Sequence, residues 1–294
     1  TITVSCTAGT NYTAPTSKTV TVKAEFILAT LNDNSWAAIH SVSGTGASYW
    51  AVGDRKAVSV SGTVGTKSVS GTYYVYILGF NHNGATGIDF GTFKTALTNG
   101  VDICLTDSKY NSYSTDGTKY FNMNHSSNTN SGGWKGCDLR YDVLGSTNTN
   151  DGDATSTTAT SPVANTLMAA LPSDLRAVMQ PMTIYTDNVG GGSNTASNVT
   201  TSVDYLPLLA EYEIFGSRSY ANSSEQTYQA QYQYFKNGNS KVKYRDSSTS
   251  TTADWWERSP YYNGSYYFCY VDTGGTAYSS NARFSLGLAP AFRV

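Results

Sequence analysis

Enzymatic chemistry needs bases, nucleophiles or metal ligands set close together, and in this 294-residue chain the side chains able to supply them are scattered. Of the three histidines, His40 ends a segment with short-helix periodicity, His82 lies in the turn phrase Gly79-Phe80-Asn81-His82-Asn83, and His125 sits in a polar stretch. None has a partner motif, so structural roles are expected for all three. The cysteines, Cys6, Cys104, Cys137 and Cys269, are far apart and form no C-x-x-C pair, which predicts buried free thiols, with one disulfide as the alternative, rather than a zinc or redox site. No G-x-S-x-G, H-E-x-x-H or phosphate-loop pattern occurs. Asp151-Gly152-Asp153 with Asn148 and Asn150 offers hard oxygens for Ca²⁺, but without EF-hand spacing, and reads as a flexible polar loop. Glu211 and Glu213 are a carboxylate pair of the kind used in glycoside hydrolysis. They alternate within an apolar, strand-like stretch, which places both on one face in buried or edge hydrogen bonds. The expectation is a protein that is not an enzyme and uses no metal and no cofactor.

The last forty residues suggest binding instead. Two apolar frames, Trp255-Trp256-Glu257-Arg258-Ser259-Pro260 and Leu286-Gly287-Leu288-Ala289-Pro290-Ala291-Phe292-Arg293, enclose an insert of aromatic and small polar residues. Tyrosine gives large amphipathic contact area at low rotamer cost, while Ser, Gly and Asn give adaptable hydrogen bonds. The predicted aromatic anchors are Tyr261, Tyr262, Tyr266, Tyr267, Tyr270 and Tyr278. Asn263, Ser265, Asp272, Thr273, Thr276, Ser280, Asn281, Arg283 and Phe284 complete the predicted ligand-binding set and tune its specificity. Trp255 and Trp256 have the faces to stack on sugar rings, yet a Trp pair before an Arg-Ser-Pro turn reads better as a core anchor for a display loop.

The elements that must position this insert form an α+β chain with short helices on antiparallel sheets and long ordered loops. Residues 1–25 alternate at Ile2, Val4, Val20, Val22 and Ala24 and read as a β-hairpin or leading strand that tethers the domain over 26–294. Asn34-Ser35-Trp36-Ala37-Ala38-Ile39-His40-Ser41-Val42 predicts a short amphipathic helix ended by Gly-Thr-Gly. Lys56-Ala57-Val58-Ser59-Val60 and Tyr73-Tyr74-Val75-Tyr76-Ile77-Leu78-Gly79-Phe80 predict a strand pair. Residues 106–160 are poor in aliphatics and predict loops. Residues 161–171 have helical spacing, and a second short helix follows with Pro172 early in it. The most apolar stretch, residues 205–215, is predicted core.

Charged residues make up 14% and the net charge is -2, which gives no electrostatic footprint for nucleic acid or an anionic membrane and argues against polyanion binding. No apolar run is long enough to span a bilayer and no signal peptide is evident. The chain begins with Thr1, consistent with processing or with a longer polypeptide. Tyr (23) outnumbers Phe (10) among many Ser, Thr, Asn and Gly residues, the composition of an exposed, low-charge surface.

Several phrases resemble one family of gut bacteria and their phages: Asn34-Ser35-Trp36, Tyr49-Trp50-Ala51-Val52-Gly53-Asp54, Gly79-Phe80-Asn81-His82-Asn83, Leu171-Pro172-Ser173-Asp174-Leu175-Arg176, Trp255-Trp256 with Arg258-Ser259-Pro260, and Gly287-Leu288-Ala289-Pro290-Ala291-Phe292. Together they are similar to the uncharacterised-domain family with the signature W-W-x-R-S-P. The resemblance implies a C-type-lectin-like fold, shared with phage tropism determinants and sulfatase-modifying proteins, in which the Pro-Ala-Phe ending closes the sheet. It also implies a target of a diversity-generating retroelement, with Asn codons of a template randomised at the insert's variable positions. Phe268, Cys269, Val271, Gly274 and Ala277 are then fixed, alternating with displayed positions. Glu257 stands where an apolar residue is commoner in that family. The function implied is a virion protein, receptor-binding or a decoration or head fibre, engaging a bacterial or host surface glycan or protein for host attachment. Other virion proteins are expected at the N-terminal segment, with a homo-oligomer supplying avidity. A purely structural capsid or tail decoration, or a gut bacterial cell-surface adhesin, are the alternatives.

Overall fold

The computed structural model describes residues 2–4, 10, 18–20 and 26–294. Two short strands, β1 (Ile2–Val4) and β2 (Lys18–Val20), pair antiparallel with Ile2 opposite Val20, as the alternation predicts; Val22, Ala24 and Cys6 lie outside the described residues. Helix α1 (Trp36–Ser41) begins where Ser35 Oγ accepts the Ala38 N–H, an N-cap that satisfies one otherwise orphaned donor. It buries Trp36, Ala38 and Ile39 and leaves His40 exposed.

The main sheet follows from β-branched and aromatic runs broken by tight turns. Strands β3 (Arg55–Val64) and β4 (Lys67–Phe80) form the predicted hairpin in unbroken register from Arg55↔Tyr76 to Val64↔Lys67. Gly65 makes the turn at φ 56°, where a Cβ would lie 2.2 Å from the Lys119 carbonyl oxygen, so no other residue fits. Next come β5 (Ile88–Lys94) and β6 (Asp102–Cys104). Four short helices follow: α2 (Ser156–Thr160), α3 (Leu167–Ala170), α4 (Ser173–Arg176) and, beyond a separate hairpin of β7 (Met182–Asp187) and β8 (Val199–Asp204), α5 (Glu211–Phe215). After α6 (Gln233–Lys236) come β9 (Lys243–Arg245), β10 (Ser248–Ala253), β11 (Trp255–Pro260), β12 (Tyr267–Val271), β13 (Ala277–Asn281) and β14 (Ala291–Arg293).

The seven-stranded sheet runs β10-β9-β6-β5-β4-β3, with β14 on β5 and only β6–β9 parallel. The chain is thus α+β, mostly antiparallel sheet with short helices and long loops. The Pro-Ala-Phe ending adds strand β14 beside β5: Phe292 pairs with Phe90, and Phe292, Phe90 (5.4 Å) and Trp36 (6.0 Å) form one aromatic cluster. The core continues from Leu31 and Trp36 through Phe121, Trp134 and Leu167 to Val294. No helix among the described residues is long and apolar enough to cross a membrane.

Two sequence expectations are corrected. The helical spacing of residues 161–171 yields only the four-residue α3, because Asn165 takes a left-handed φ of 60° that an extended helix excludes. The strand expected at Glu211 and Glu213 is instead α5, stopped by Gly216 in the left-handed region at φ 68°. On a helix, residues two apart point away from each other, so the carboxylates separate rather than share a face.

Candidate functional site

The Trp255–Pro260 strand is the hub of the C-terminal region, and all six of its residues are buried. Four of its side chains reach out to other segments. Trp255 Nε1 donates to the Lys241 carbonyl (3.0 Å) and Trp256 Nε1 to that of Phe121 (2.8 Å). Arg258 makes a bidentate pair with Glu213 (2.7 and 2.8 Å), donates to Leu208 O (2.8 Å) and Thr186 Oγ1 (2.7 Å), and so ties α5 and β7 to the strand. Ser259 Oγ donates to Glu225 Oε2 at 2.6 Å. Both indoles are fully buried and unable to meet a sugar; they anchor the sheet. Gly287, bridged to Trp255 through the backbone, is packed on Cys104: a Cβ there would come within 2.2 Å of Cys104 Sγ.

On this frame stands a three-stranded sheet, β11-β12-β13, with Trp256↔Tyr270 and Tyr270↔Tyr278 in register. The loop joining β11 to β12 carries Tyr261, Tyr262, Asn263, Ser265 and Tyr266, and a buried side chain outside the insert holds it. Asn130 Nδ2 donates to the carbonyls of Gly264 (2.8 Å) and Tyr267 (2.9 Å), its backbone N–H donates to Ser265 O, and its Oδ1 accepts from Gly191 N. The β12–β13 turn closes on itself, Asp272 Oδ1 accepting the N–H groups of Gly274 and Thr276. Asp272 therefore builds the turn that presents Thr273 and Thr276, both exposed at its tip. Along β12 Phe268, Cys269 and Val271, the positions expected to belong to the frame, are buried, while Tyr267 and Tyr270 are half-buried.

Five of the six predicted tyrosines are linked by ring contacts. Tyr262 meets Tyr261 (5.4 Å), Tyr261 meets Tyr267 (6.1 Å), and Tyr270 meets Tyr278 (6.0 Å). A residue not foreseen, Tyr220, bridges these groups, 5.6 Å from Tyr261 and stacked at 5.6 Å on Tyr278, with Arg218 over the Tyr262 ring. Further along, the loop of residues 107–114 lies beside residues 283–285 through the Tyr110↔Ser285 and Tyr113↔Phe284 bridges. Tyr113 and Phe284 rings are 3.9 Å apart, Arg283 stacks on Tyr113 at 4.0 Å, and Asn128 Nδ2 donates to Asn281 Oδ1. Tyr266, Tyr278 and Tyr113 are each at least 50% exposed; Tyr266 stands apart from the ring contacts and Ser280 is half-buried. Tyr110, Tyr113 and Tyr220 had a sequence signal, since Lys109-Tyr110-Asn111-Ser112-Tyr113 and Ser217-Arg218-Ser219-Tyr220 share the insert's composition.

The groups capable of chemistry are otherwise employed. His82 is stacked on Tyr232, and His125 Nδ1 lies 2.9 Å from Asn122 Oδ1. Cys104, Cys137 and Cys269 are buried free thiols; burial pushes Cys104 and Cys137 up to about 12. Asp153 accepts from Val203 N and pairs with Lys135, while Asn148 bonds Thr158 and Ser161. Glu211 accepts the N–H groups of Ser219, Tyr220 and Ala221, so it holds the Tyr220 loop in place.

Glu257 differs from these, being buried with neither carboxylate oxygen hydrogen-bonded. Burial, with Glu211 and Glu225 nearby, raises its pKa well above the ordinary value, and burial raises Glu225 to about 7. A carboxyl raised in the folded state costs no stability below its unfolded pKa, near 4.5, and progressively destabilises as pH climbs from there to the folded pKa. Glu213 has the opposite sign: burial works to raise it, Arg258 together with His82 and the Ala210 N–H outweighs burial and holds it below its ordinary value, and its contribution fades as pH falls through that lowered pKa. Glu257→Leu, restoring the apolar type common in the resembling family, is therefore expected to raise the melting temperature, and by more at pH 8 than at pH 5. Thermal melts of both proteins at the two pH values check this; an equal difference at both contradicts it.

No curated protein and no solved structure matches the chain significantly. One family does: its match covers residues 105–294, which takes in the 107–114 loop, Asn130, the Trp255–Pro260 hub, the tyrosine surface and the closing strand. The chain belongs to the DUF6273 family, a domain of unknown function.

Proposed function

We propose that this chain is a non-enzymatic binding protein of a phage virion, whose C-terminal sheet, in a C-type-lectin-like arrangement, displays a variable tyrosine-rich surface to a glycan or protein on a bacterial or host surface. The observation that carries this reading is the join between a fully buried frame and a contiguous aromatic face made from the insert. The frame tolerates little change, as Arg258, Gly287 and Asn130 each meet several partners, whereas Tyr262, Tyr266, Thr273, Thr276 and Tyr278 have side chains open enough to be exchanged. That division suits a scaffold whose displayed residues are diversified and selected for binding. The strands β1 and β2, at the other end of the sequence, serve for attachment to other virion proteins, and several copies on one particle multiply weak contacts.

Sequencing the DNA beside this gene tests the reading. The expected result is a near-copy of the coding stretch for residues 255–294, next to a reverse-transcriptase gene, that differs only at adenines falling in the codons of displayed residues. A locus without such a copy makes the surface a fixed one and removes the diversification from the account.

A further inference from the structure

The β11-β12-β13 sheet has one closed edge and one open edge. Along β11, Trp256 donates its N–H to Gly287 O and Arg258 donates its N–H to Leu209 O. At the other side β13 pairs with β12 alone. The bonds from Asp272 N to Thr276 O and from Ala282 N to Tyr266 O set the phase of the ladder between them. Bonded and non-bonded positions alternate in an antiparallel pair, so Tyr278 and Ser280 bond to β12 while the N–H and C=O groups of Ala277 and Ser279 point away from it. None of these four outward groups meets a partner among the described residues.

Other edges carry protection that β13 lacks. Strand β10 has an irregular register between Ser248 and Thr252, and the Ala57 N–H of β3 is capped by Asn32 Oδ1 (2.8 Å). Val203 of β8 is occupied through both backbone groups, by Asp153 Oδ1 and the Ala154 N–H. From Thr273 to Ala282, by contrast, there is no charged residue and no proline. Tyr278 is 52% exposed in the middle of the bare strand, with its ring stacked on Tyr220.

Resting on the binding reading above, we propose that the ligand is a protein, an extended, uncharged segment of which adds to β13 as a fourth strand, with an aromatic or β-branched residue packed on Tyr278. Outward amides two residues apart match the repeat of a peptide backbone, which sugar hydroxyls do not share. A charged segment finds no counter-charge on this strand. A second copy of the chain fits less well, because Asn281 closes its own end: its carbonyl accepts the Phe284 N–H and its Oδ1 accepts from Asn128. Pairing two copies around Ser279 sets Ala277 of one against that closed end of the other.

The test pans a displayed library of random heptapeptides against the full chain and measures the affinity of the recovered peptides. Recovered sequences are expected to be uncharged, to tolerate N-methylation on one set of alternate residues and to lose about tenfold or more on the other set, which forms the ladder. Ser279→Pro, checked for an unchanged melting temperature, is expected to cost about tenfold or more as well, since it removes an outward N–H while sparing the bonds to β12. Ser279→Lys, a charge on the edge, is expected to act in the same direction without restricting the backbone. No recovered peptide, N-methylation without effect or with equal effect on both sets, or unaffected variants overturns the proposal. Concentration-dependent dimerisation that Ser279→Pro abolishes also overturns it, in favour of a second copy. Attachment to bacterial cells that is lost in Tyr113→Ala/Tyr278→Ala but kept in Ser279→Pro leaves the binding surface standing and removes strand addition from it.

Discussion

Arg258→Gln is expected to cost about 3–5 kcal/mol of folding stability, the range for breaking a buried ion pair from one side. Arg258 is 1% exposed and spends its guanidinium on Glu213, Leu208 O and Thr186 Oγ1, so three separate segments depend on one side chain. Removing the charge leaves the Glu213 carboxylate buried without its ion-pair partner, so that burial, which raises its pKa, is opposed mainly by the Ala210 N–H and His82. At roughly 2–4 °C per kcal/mol for a chain of this size, the melting temperature is expected to fall by about 6–20 °C. Pairing it with a second change separates charge from packing. Arg258→Met/Glu213→Leu removes both charges together and is expected to recover most of the loss, since hydrophobic replacement of a buried pair is often neutral. Thermal melts check both; a single variant that costs under about 1 kcal/mol contradicts the hub role of Arg258.

The frame was legible in the sequence and its partners were not. Trp255 and Trp256 as anchors, the β3–β4 strand pair and the Ser35-capped helix follow from local pattern, because period and capping are written in neighbouring residues, whereas the Pro-Ala-Phe strand was implied by the resemblance alone. Glu211 and Glu213 misled for a physical reason: a five-residue helix is too short to show its 3.6-residue period, and two carboxylates in an apolar run imitate strand alternation. The clue available was Gly216, the left-handed stop. Arg258's dependence on Glu213, 45 positions away, has no local signature. Asn130 was hidden in a stretch full of Asn, Ser and Thr, and only folding shows that this one amide clasps the Tyr261 to Tyr267 loop.

The candidate surface was legible in part. Its strand-borne tyrosines could be named because the insert differs in composition from its flanks. Tyr220, Arg218 and the Tyr110 loop join it through tertiary contacts, with Arg245 stacked on Tyr110 from a three-residue strand of the other sheet. Asp272 has a role the sequence reading did not include, its Oδ1 holding the turn through Gly274 and Thr276.

The second large effect expected is on attachment. Tyr113→Ala/Tyr278→Ala removes two rings that are 50% and 52% exposed, so the fold loses little while the surface loses two of its most open aromatic residues. Aromatic hot spots cost at least about 2 kcal/mol each when truncated, or ~30-fold in affinity apiece, so the double variant is expected to bind ~10³-fold more weakly. The direct measurement is the saturable attachment of the fluorescently labelled chain to a panel of gut bacterial cells, wild type against this variant, with matched melting temperatures. A bound strain that loses the variant by that factor is the result predicted; a variant that attaches with wild-type affinity contradicts the claim that this surface is where the protein binds.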